Sequence, residues 1–480
     1  MKSLKRLHAP AIVLVVVLAA IACAVNPVSG KKELMLFTEK QEIAMGQETD
    51  QAIRQEFGIY EDRALNEYVN RIGQSMVPNS HRPNLKHYFA VLDTPVVNAF
   101  AAPGGYIYVT RGIMALMNSE AELAAVLGHE MGHVAARHSM AQMSGQMLVQ
   151  IGLVVGSVIS KDIRKFAGLA SIGMQLLFLK FSRSDEYQAD SLGIRYARMA
   201  QYSPGEMLRF FTALENMSAE SSSHSIPTFL STHPMTSDRI KKVKELVTSQ
   251  DVRLAVKKED YLRKVDGMVY GDNPRQGFVE NGVFYHPGMT FQFAVPGGWV
   301  VENTPKQVSI GEKDGKAALY LQAETSAQDL DQYVPAKAQA LFGQAELLKK
   351  SREAVNRFQA RHAYLRVPQE QGEPLAARMS CIRKNGLIYT FIALSTYAAA
   401  DAYQPVMERS ILSFQELSDP RLLNRGPERI TLVRPDGRQT LEGMLARSGV
   451  DRKYWKQLSV FNSIKLDAVP ESGQLVKLLK

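Results

Sequence analysis

Cysteine is scarce in this chain, since its 480 residues include only Cys23 and Cys381. Two cysteines so far apart make no disulfide framework, and neither has a nearby partner of the kind that binds a metal. Any zinc site in this sequence must therefore be built from histidine and carboxylate ligands.

Long apolar runs and internal repeats are also missing. The uninterrupted apolar portions of the glycine-dotted segment 143–181 fall short of the ~20 residues that a membrane-spanning helix needs, which favours buried helices or a lid. With 45% hydrophobic and 22% charged residues, the composition is that of a soluble globular protein. Its length predicts two or three domains.

The net charge of +9 is concentrated at one end, because residues 421–480 carry twelve Lys/Arg against six Asp/Glu. Such a segment could meet nucleic acid, anionic lipid or cell-wall polymer, although a solvated basic face is the simpler interpretation. No nucleic-acid-binding motif accompanies it, so we expect no nucleic acid partner.

The first 23 residues are typical of a secretory signal. A basic start precedes an apolar stretch at 11–22, and small residues precede Cys23, as at the processing site of a lipoprotein. Cys23 would then be the lipidated first residue of the mature chain, and Ala24 after it favours the outer membrane over the inner one. A plain signal peptide or an uncleaved anchor would instead give a soluble periplasmic or an inner-membrane protein.

An H-E-x-x-H motif occupies residues 129–133. Four helical residues nearly complete a turn, so His129 and His133 share one face and can bind one zinc ion. Glu130 then lies where it can handle the proton of a zinc-bound water. The motif predicts a metal-dependent peptidase.

The surroundings support a helix at this position. Ser119 and Glu122 have the spacing of a capping box, and an apolar run follows them as far as Val134. The motif therefore lies well inside a capped helix with a buried face.

Catalytic zinc usually has three protein ligands, so a third is needed. His138 is close in sequence, but on a continuing helix it would point away from His129 and His133. It is therefore expected either to contact a ligand from behind or to be a histidine at the helix C-terminus. A metzincin would need glycine at 136 and histidine at 139, where this chain has Ala136 and Ser139.

A second predicted helix, at about 183–200, offers a better ligand. Glu186 and Asp190 share a face of this helix, because they are four residues apart. Glu186 would be the third ligand, and Asp190 could accept a hydrogen bond from a ligand histidine and so fix its tautomer. A solvated acidic face is the alternative interpretation of this pair.

Together these elements resemble metallopeptidase family 48, the gluzincin group of HtpX, the BepA-type periplasmic proteases and the CAAX prenyl endopeptidases. The lipoprotein-like start suits the periplasmic branch. The resemblance covers about residues 35–250. It rests on five elements that follow the family's pattern, namely the H-E-x-x-H motif at 129–133, Ser182–Arg183, Glu186 with Asp190, Asn98–Ala101 with Pro103–Gly105, and His233–Pro234 with Arg239–Ile240.

The resemblance implies a zinc-dependent endopeptidase. One Zn²⁺ per chain would be held by His129, His133 and Glu186, while Glu130 takes the proton from the attacking water. Its substrates would be misfolded or unassembled proteins of the cell envelope. The outer-membrane assembly machinery and the cell wall are further candidate partners, and the lipid anchor would attach the chain to the membrane.

The resemblance also draws attention to His233 and Arg239. Arg239 could stabilise the oxyanion, as a catalytic residue together with Glu130 and Asp190, or pair with a carboxylate. His233 could be a fourth ligand that holds the enzyme inactive until it is displaced, or it could cap the helix that follows.

The segment 98–111 is predicted as a strand pair. It could bind an extended substrate by adding it to a sheet edge, which would recognise backbone rather than sequence. A chaperone-like or cell-wall-binding envelope protein with low proteolytic activity remains the alternative function.

The predicted fold class is α+β. A mainly helical zincin-type catalytic domain with a small sheet is expected at 36–255, after a tether at 24–35. An α+β accessory domain follows at 270–418. A small basic unit at 427–480 faintly resembles a LysM module.

Overall fold

The computed structural model describes residues 23–154, 179–220, 228–369 and 372–480. The predictions for the signal sequence and for the middle of the apolar segment concern residues outside these ranges. None of the described helices has the length and hydropathy needed to cross a membrane.

Helices and several separate sheets make up the described structure, which confirms the α+β class. Its contacts divide the chain into two compact units. One unit contains the described residues up to 271 together with 428–480, and the other contains residues 272–427.

The first unit is mainly helical up to residue 271. Its strands are β1 Cys23–Val25, β2 Lys32–Leu34, β3 Tyr88–Leu92, β4 Ala99–Ala102 and β5 Tyr106–Thr110. Its helices are α1 Glu39–Phe57, α2 Arg63–Met76, α3 Arg111–Leu116, α4 Glu120–Ala136, α5 His138–Val154, α6 Arg183–Met199, α7 Glu206–Glu220, α8 Thr228–Thr232, α9 Ser237–Leu246 and α10 Lys258–Val265.

Helix α4 carries the H-E-x-x-H motif and is buried along its whole length. Ser119 caps it by accepting a hydrogen bond from the Glu122 backbone N–H at 3.1 Å. The predicted box is only half formed, because the Glu122 carboxylate accepts from the backbone N–H of Asn118 instead. Burial on all sides explains why the helix carries small and apolar residues around its motif.

Helices α4 and α6 cross closely because glycines line their contact. A Cβ atom on Gly132 would lie 2.9 Å from the Ala189 Cα, and one on Gly193 would lie 2.8 Å from the His129 backbone nitrogen. Larger side chains at these positions would force the helices apart. The close crossing brings the face of α6 that carries Glu186 up to the two histidines of α4.

The predicted strand pair forms a three-stranded sheet with β3. Its strand order is β3-β5-β4, with β4 antiparallel and β3 parallel to β5. Strand β4 is therefore an edge strand, and all of its residues are buried.

Residues 23–34 form a short antiparallel hairpin, β1–β2, within the segment predicted as a tether. The Asn26 amide donates hydrogen bonds to the Glu33 carboxylate and to the Ala136 carbonyl oxygen. These bonds hold the hairpin against the end of α4, because buried polar groups are stable only when they are paired.

The second unit is built on a seven-stranded antiparallel sheet with the order β12-β13-β14-β15-β11-β10-β9. A separate four-stranded sheet has the order β16-β8-β7-β6. The strands of the whole unit are β6 Phe278–Glu280, β7 Val283–His286, β8 Phe291–Ala294, β9 Val300–Asn303, β10 Val308–Gly311, β11 Ala317–Thr325, β12 Glu346–Ser351, β13 Ala360–Val367, β14 Leu375–Lys384, β15 Leu387–Thr396 and β16 Gln415–Glu416. Its helices are α11 Leu330–Phe342, α12 Ala400–Leu412 and α13 Pro420–Leu423.

The C-terminal segment returns to the first unit. It contains β17 Ile430–Val433, α14 Leu441–Arg447, α15 Trp455–Asn462 and β18 Val476–Leu479, and the two strands pair antiparallel. Lys477 on β18 is fully buried and donates hydrogen bonds to the carbonyl oxygens of Ala115 and Met117. The segment predicted as a small separate unit thus shares the core of the first unit, while its likeness to a LysM module stays a prediction.

Candidate metal centre

Four side chains from two helices and a loop converge inside the first unit. They are His129 and His133 of α4, Glu186 of α6, and His233, which follows α8. One potential ligand atom from each lies within 4.8 Å of all the others, and all four residues are buried. The sequence-based ligands are therefore brought together, and His233 joins them.

The distances in this cluster fit a zinc ion. A tetrahedral zinc with bonds of about 2.0–2.1 Å separates its ligand atoms by roughly 3.3 Å. The Nε2 atoms of His129 and His133 are 3.1 Å apart. Glu186 Oε2 lies 3.6 Å from the first of these nitrogens, and Glu186 Oε1 lies 3.6 Å from the second. The two imidazoles and the carboxylate therefore approach one another at separations close to those between ligands of one zinc ion.

His233 lies beside these three groups. Its Nδ1 atom is 3.0 Å from Glu186 Oε1 and 3.3 Å from His129 Nε2. Its Nε2 atom faces Glu130, 3.7 Å from Oε1. The alternative role as a helix cap is wrong, because Thr236 caps α9 by accepting from the Arg239 backbone N–H at 3.2 Å.

Asp190 and Arg239 surround the cluster. Asp190 Oδ1 accepts from His129 Nδ1 at 2.9 Å, which leaves His129 Nε2 free to bind a cation. Arg239 binds both oxygens of Asp190, at 2.7 and 2.8 Å, and its Nη1 lies 2.7 Å from Glu186 Oε2. Of the two predicted alternatives for Arg239, the structure contains the pairing with carboxylates.

The carboxylates of Asp190 and Glu186 are both held in the ionised form. Burial opposes ionisation of Asp190, but hydrogen bonds from His129 and Arg239 bring its pKa to about 2. Burial acts likewise on Glu186, yet His233, His129 and Arg239 lower its pKa below the ordinary value. Burial also lowers the pKa of His133, so its lone pair is available. This is the protonation state that metal ligands require.

The third histidine of the cluster behaves differently. Burial would lower the pKa of His233, but the carboxylates of Glu186 and Glu130 raise it above its ordinary value. The two neighbouring carboxylates thus favour a positive charge at this position. A bound cation would supply that charge instead.

Glu130 projects from α4 beside the ligands and is fully buried. Neither of its carboxylate oxygens has a hydrogen-bond partner among the described residues. Burial raises the pKa of this carboxyl. A buried carboxylate without a hydrogen-bond partner, beside a candidate metal site, is suited to accept a proton.

His138 lies behind His133, where the sequence placed it as one of two alternatives, although the helix does not continue as far as this residue. Helix α4 ends at Ala136, and Arg137 is left-handed, with φ 59° and ψ 32°. The turn brings His138 back, so that its Nδ1 lies 2.9 Å from His133 Nδ1. A non-glycine residue in the left-handed region leaves little trace in sequence.

Two further residues at the site were not predicted. Phe181 stacks on His133 with ring centroids 4.0 Å apart, and Gln188 Oε1 lies 2.8 Å from His138 Nε2. A signal for Gln188 was present, because it lies three residues after Asp185 and so belongs to a second polar face of α6.

Comparison with known proteins agrees with this site. The model of peptidase family M48 matches residues 63–247. The β-barrel assembly-enhancing protease of Yersinia pestis is 28% identical over 231 residues, which are 46% of this chain and 47% of that protein. The mitochondrial metalloendopeptidase OMA1 of Schizosaccharomyces pombe is 30% identical over 236 residues, or 47% of this chain and 67% of the relative.

The chain belongs to peptidase family M48. The resemblance inferred from the motifs is thereby confirmed. M48 enzymes are metallopeptidases, so membership implies a metal, and the cluster of three histidines and Glu186 is chemically suited to hold one. The chain spans about half the length of several of the curated M48 relatives that it matches.

Proposed function

We propose that this protein is a zinc-dependent endopeptidase with one zinc ion per chain, held by His129, His133 and Glu186. The observation that carries this proposal is that the Nε2 atoms of His129 and His133, 3.1 Å apart, each lie 3.6 Å from one oxygen of the Glu186 carboxylate. Two nitrogens and one carboxylate form the ligand set of known catalytic zinc sites.

The bound ion would supply Lewis-acid polarisation of water and of the scissile carbonyl group. The chain supplies the proton transfers. Glu130 accepts the proton of the attacking water at a carboxylate oxygen and then delivers it to the leaving amine nitrogen. Asp190 keeps the proton of His129 on Nδ1, and Arg239 neutralises the paired carboxylates.

Metal analysis tests this proposal directly. We expect the purified chain to contain about one zinc per molecule, to lose hydrolysis of unfolded casein on chelation, and to recover it with zinc. The matched control is His87→Ala, since His87 is buried elsewhere in the same unit and should retain the metal. His129→Ala should lose it. Absence of zinc from the parent would contradict the proposal.

A substrate-binding edge is part of the proposal. Strand β4 has a strand neighbour on one side only, and Asn98 just before it is buried, with an amide oxygen that has no partner among the described residues. An extended substrate could pair with this edge and fill the free acceptor. Recognition of this kind suits misfolded or unassembled chains.

His233 is proposed as a switch at the fourth ligand position. Its Nδ1 lies 3.0 Å from Glu186 Oε1 and 3.3 Å from His129 Nε2, where it would compete with the reacting water for the ion. His233→Ala should therefore raise casein hydrolysis while zinc content stays at the parent level. His81→Ala is the control, because that histidine contacts Tyr196 and not the cluster. Unchanged or abolished hydrolysis in His233→Ala would count against the switch.

The proposed location is the outer membrane, on its periplasmic side, with protein substrates of the envelope. Support comes from the lipoprotein-like start and from relatives whose names describe the enhancement of β-barrel assembly. Labelling cells with a radioactive fatty acid should mark the parent chain but not Cys23→Ser. Label that persists in the variant would refute lipidation at Cys23.

A further inference from the structure

In both α4 histidines the Nε2 atom faces the cluster and the Nδ1 atom contacts another side chain. This Nδ1 partner differs between the two histidines. His129 donates from Nδ1 to the Asp190 carboxylate at 2.9 Å. His133, whose Nε2 faces the other ligands, has Nδ1 2.9 Å from a third imidazole, that of His138. A ligand histidine that binds the metal through Nε2 carries its proton on Nδ1. The Nδ1–H group of His133 must therefore donate a hydrogen bond to His138.

That requirement fixes the tautomer of His138. Its Nδ1 must be unprotonated to accept from His133, so its own proton is on Nε2. The Nε2 atom lies 2.8 Å from the Gln188 Oε1 acceptor. If the Gln188 amide were turned the other way, its NH₂ group would donate a hydrogen bond to His138 Nε2. The His138 proton would then be on Nδ1, where it would face the Nδ1 proton of His133.

The fold holds His138 in this place through Arg137. Its left-handed conformation ends α4 and turns the chain back toward His133. The Arg137 side chain is buried and binds Glu42 Oε2 at 2.8 Å and the Phe37 carbonyl oxygen at 3.0 Å. Helix α1 thus fixes the turn that delivers His138, and the arrangement does not depend on the metal ligands alone.

We propose that His138 is a positioning residue for the metal site, and that Gln188 orients it. His138 accepts a hydrogen bond from the Nδ1–H of His133, which holds the ring with Nε2 toward the cation. The inference rests on the proposed zinc site. Loss of such a partner typically lowers metal affinity about 10–100-fold.

The tautomers can be read in the zinc-loaded full-length protein labelled with ¹⁵N-histidine. Long-range ¹H–¹⁵N spectra should find His133 protonated at Nδ1 and His138 protonated at Nε2, with signals assigned by single substitutions. A proton on His138 Nδ1 would overturn the inference. This spectrum is recorded on the parent, so it does not depend on the folding of a variant.

Zinc affinity, measured by competition with a chromophoric chelator, gives a second readout. We expect a 10–100-fold loss in His138→Leu and near-parent affinity in His138→Asn, whose amide oxygen replaces the Nδ1 acceptor. His87→Leu is the matched control. Parent affinity in His138→Leu would overturn the inference while leaving the zinc site intact. A parent chain without zinc would overturn both.

Discussion

Glu130→Gln is expected to lower casein hydrolysis about 10²–10⁴-fold while zinc content stays at the parent level. Glutamine keeps the size of the side chain but cannot accept the proton of the attacking water. The Glu130 carboxylate is fully buried, and its raised pKa makes it a stronger proton acceptor than an exposed glutamate. The substitution removes a buried charge that has no hydrogen-bond partner among the described residues, together with its ion pair to His233.

A neighbouring glutamate provides the control for this experiment. Glu122 is buried on the same helix but accepts a hydrogen bond from the Asn118 backbone, outside the cluster. Glu122→Gln should retain hydrolysis and zinc. If Glu130→Gln cleaves casein as fast as the parent, Glu130 is not the base. If the parent itself suppresses casein aggregation without cleaving it, the chaperone-like alternative is favoured.

Arg239→Met is expected to lower the free energy of unfolding of the zinc-free protein by about 3–5 kcal/mol. Arg239 is buried and binds Asp190 and Glu186, two carboxylates that are themselves buried. Without the guanidinium, these neighbouring negative charges stay in a medium of low dielectric constant with less compensation. Methionine keeps much of the side-chain volume, so the loss should reflect charge rather than a cavity.

Denaturant unfolding measures the effect, with and without zinc. Zinc should restore part of the loss, because the cation compensates the Glu186 charge. Adding Asp190→Asn to Arg239→Met should cost less than the sum of the single changes, since both alter one network. Arg263→Met is the control, because the ion pair between Arg263 and Glu259 is exposed. The free energy of unfolding of this variant should match that of the parent. A loss in Arg239→Met no larger than in this control would contradict the argument.

Much of the site was predictable because it depends on local geometry. The spacing of four residues in 129–133, and again between Glu186 and Asp190, fixes which side chains share a helix face. Ser119 caps α4 and Ser182 caps α6, as their positions indicate. The α+β class followed from the change of pattern near residue 270.

Other features were beyond local reasoning. The direction from which His138 approaches His133 could not be predicted, because the helix ends at Ala136 with a left-handed Arg137 whose side chain pairs with Glu42. Glu42 precedes Arg137 by 95 residues. The close crossing of α4 and α6 was likewise hidden, although Gly128 and Gly132 beside the histidines hinted at it.

The sequence by itself determined the kind of ligands, their order on two helices and the neighbouring glutamate, because residues a helical turn apart meet wherever a helix forms. The tertiary structure decided that His233 lies beside the candidate ligands, that Arg239 joins two carboxylates, and that residues 428–480 pack into the first unit. These contacts join segments far apart in the chain. Their formation depends on how helices pack and on which buried charges must be compensated, and no local pattern encodes either.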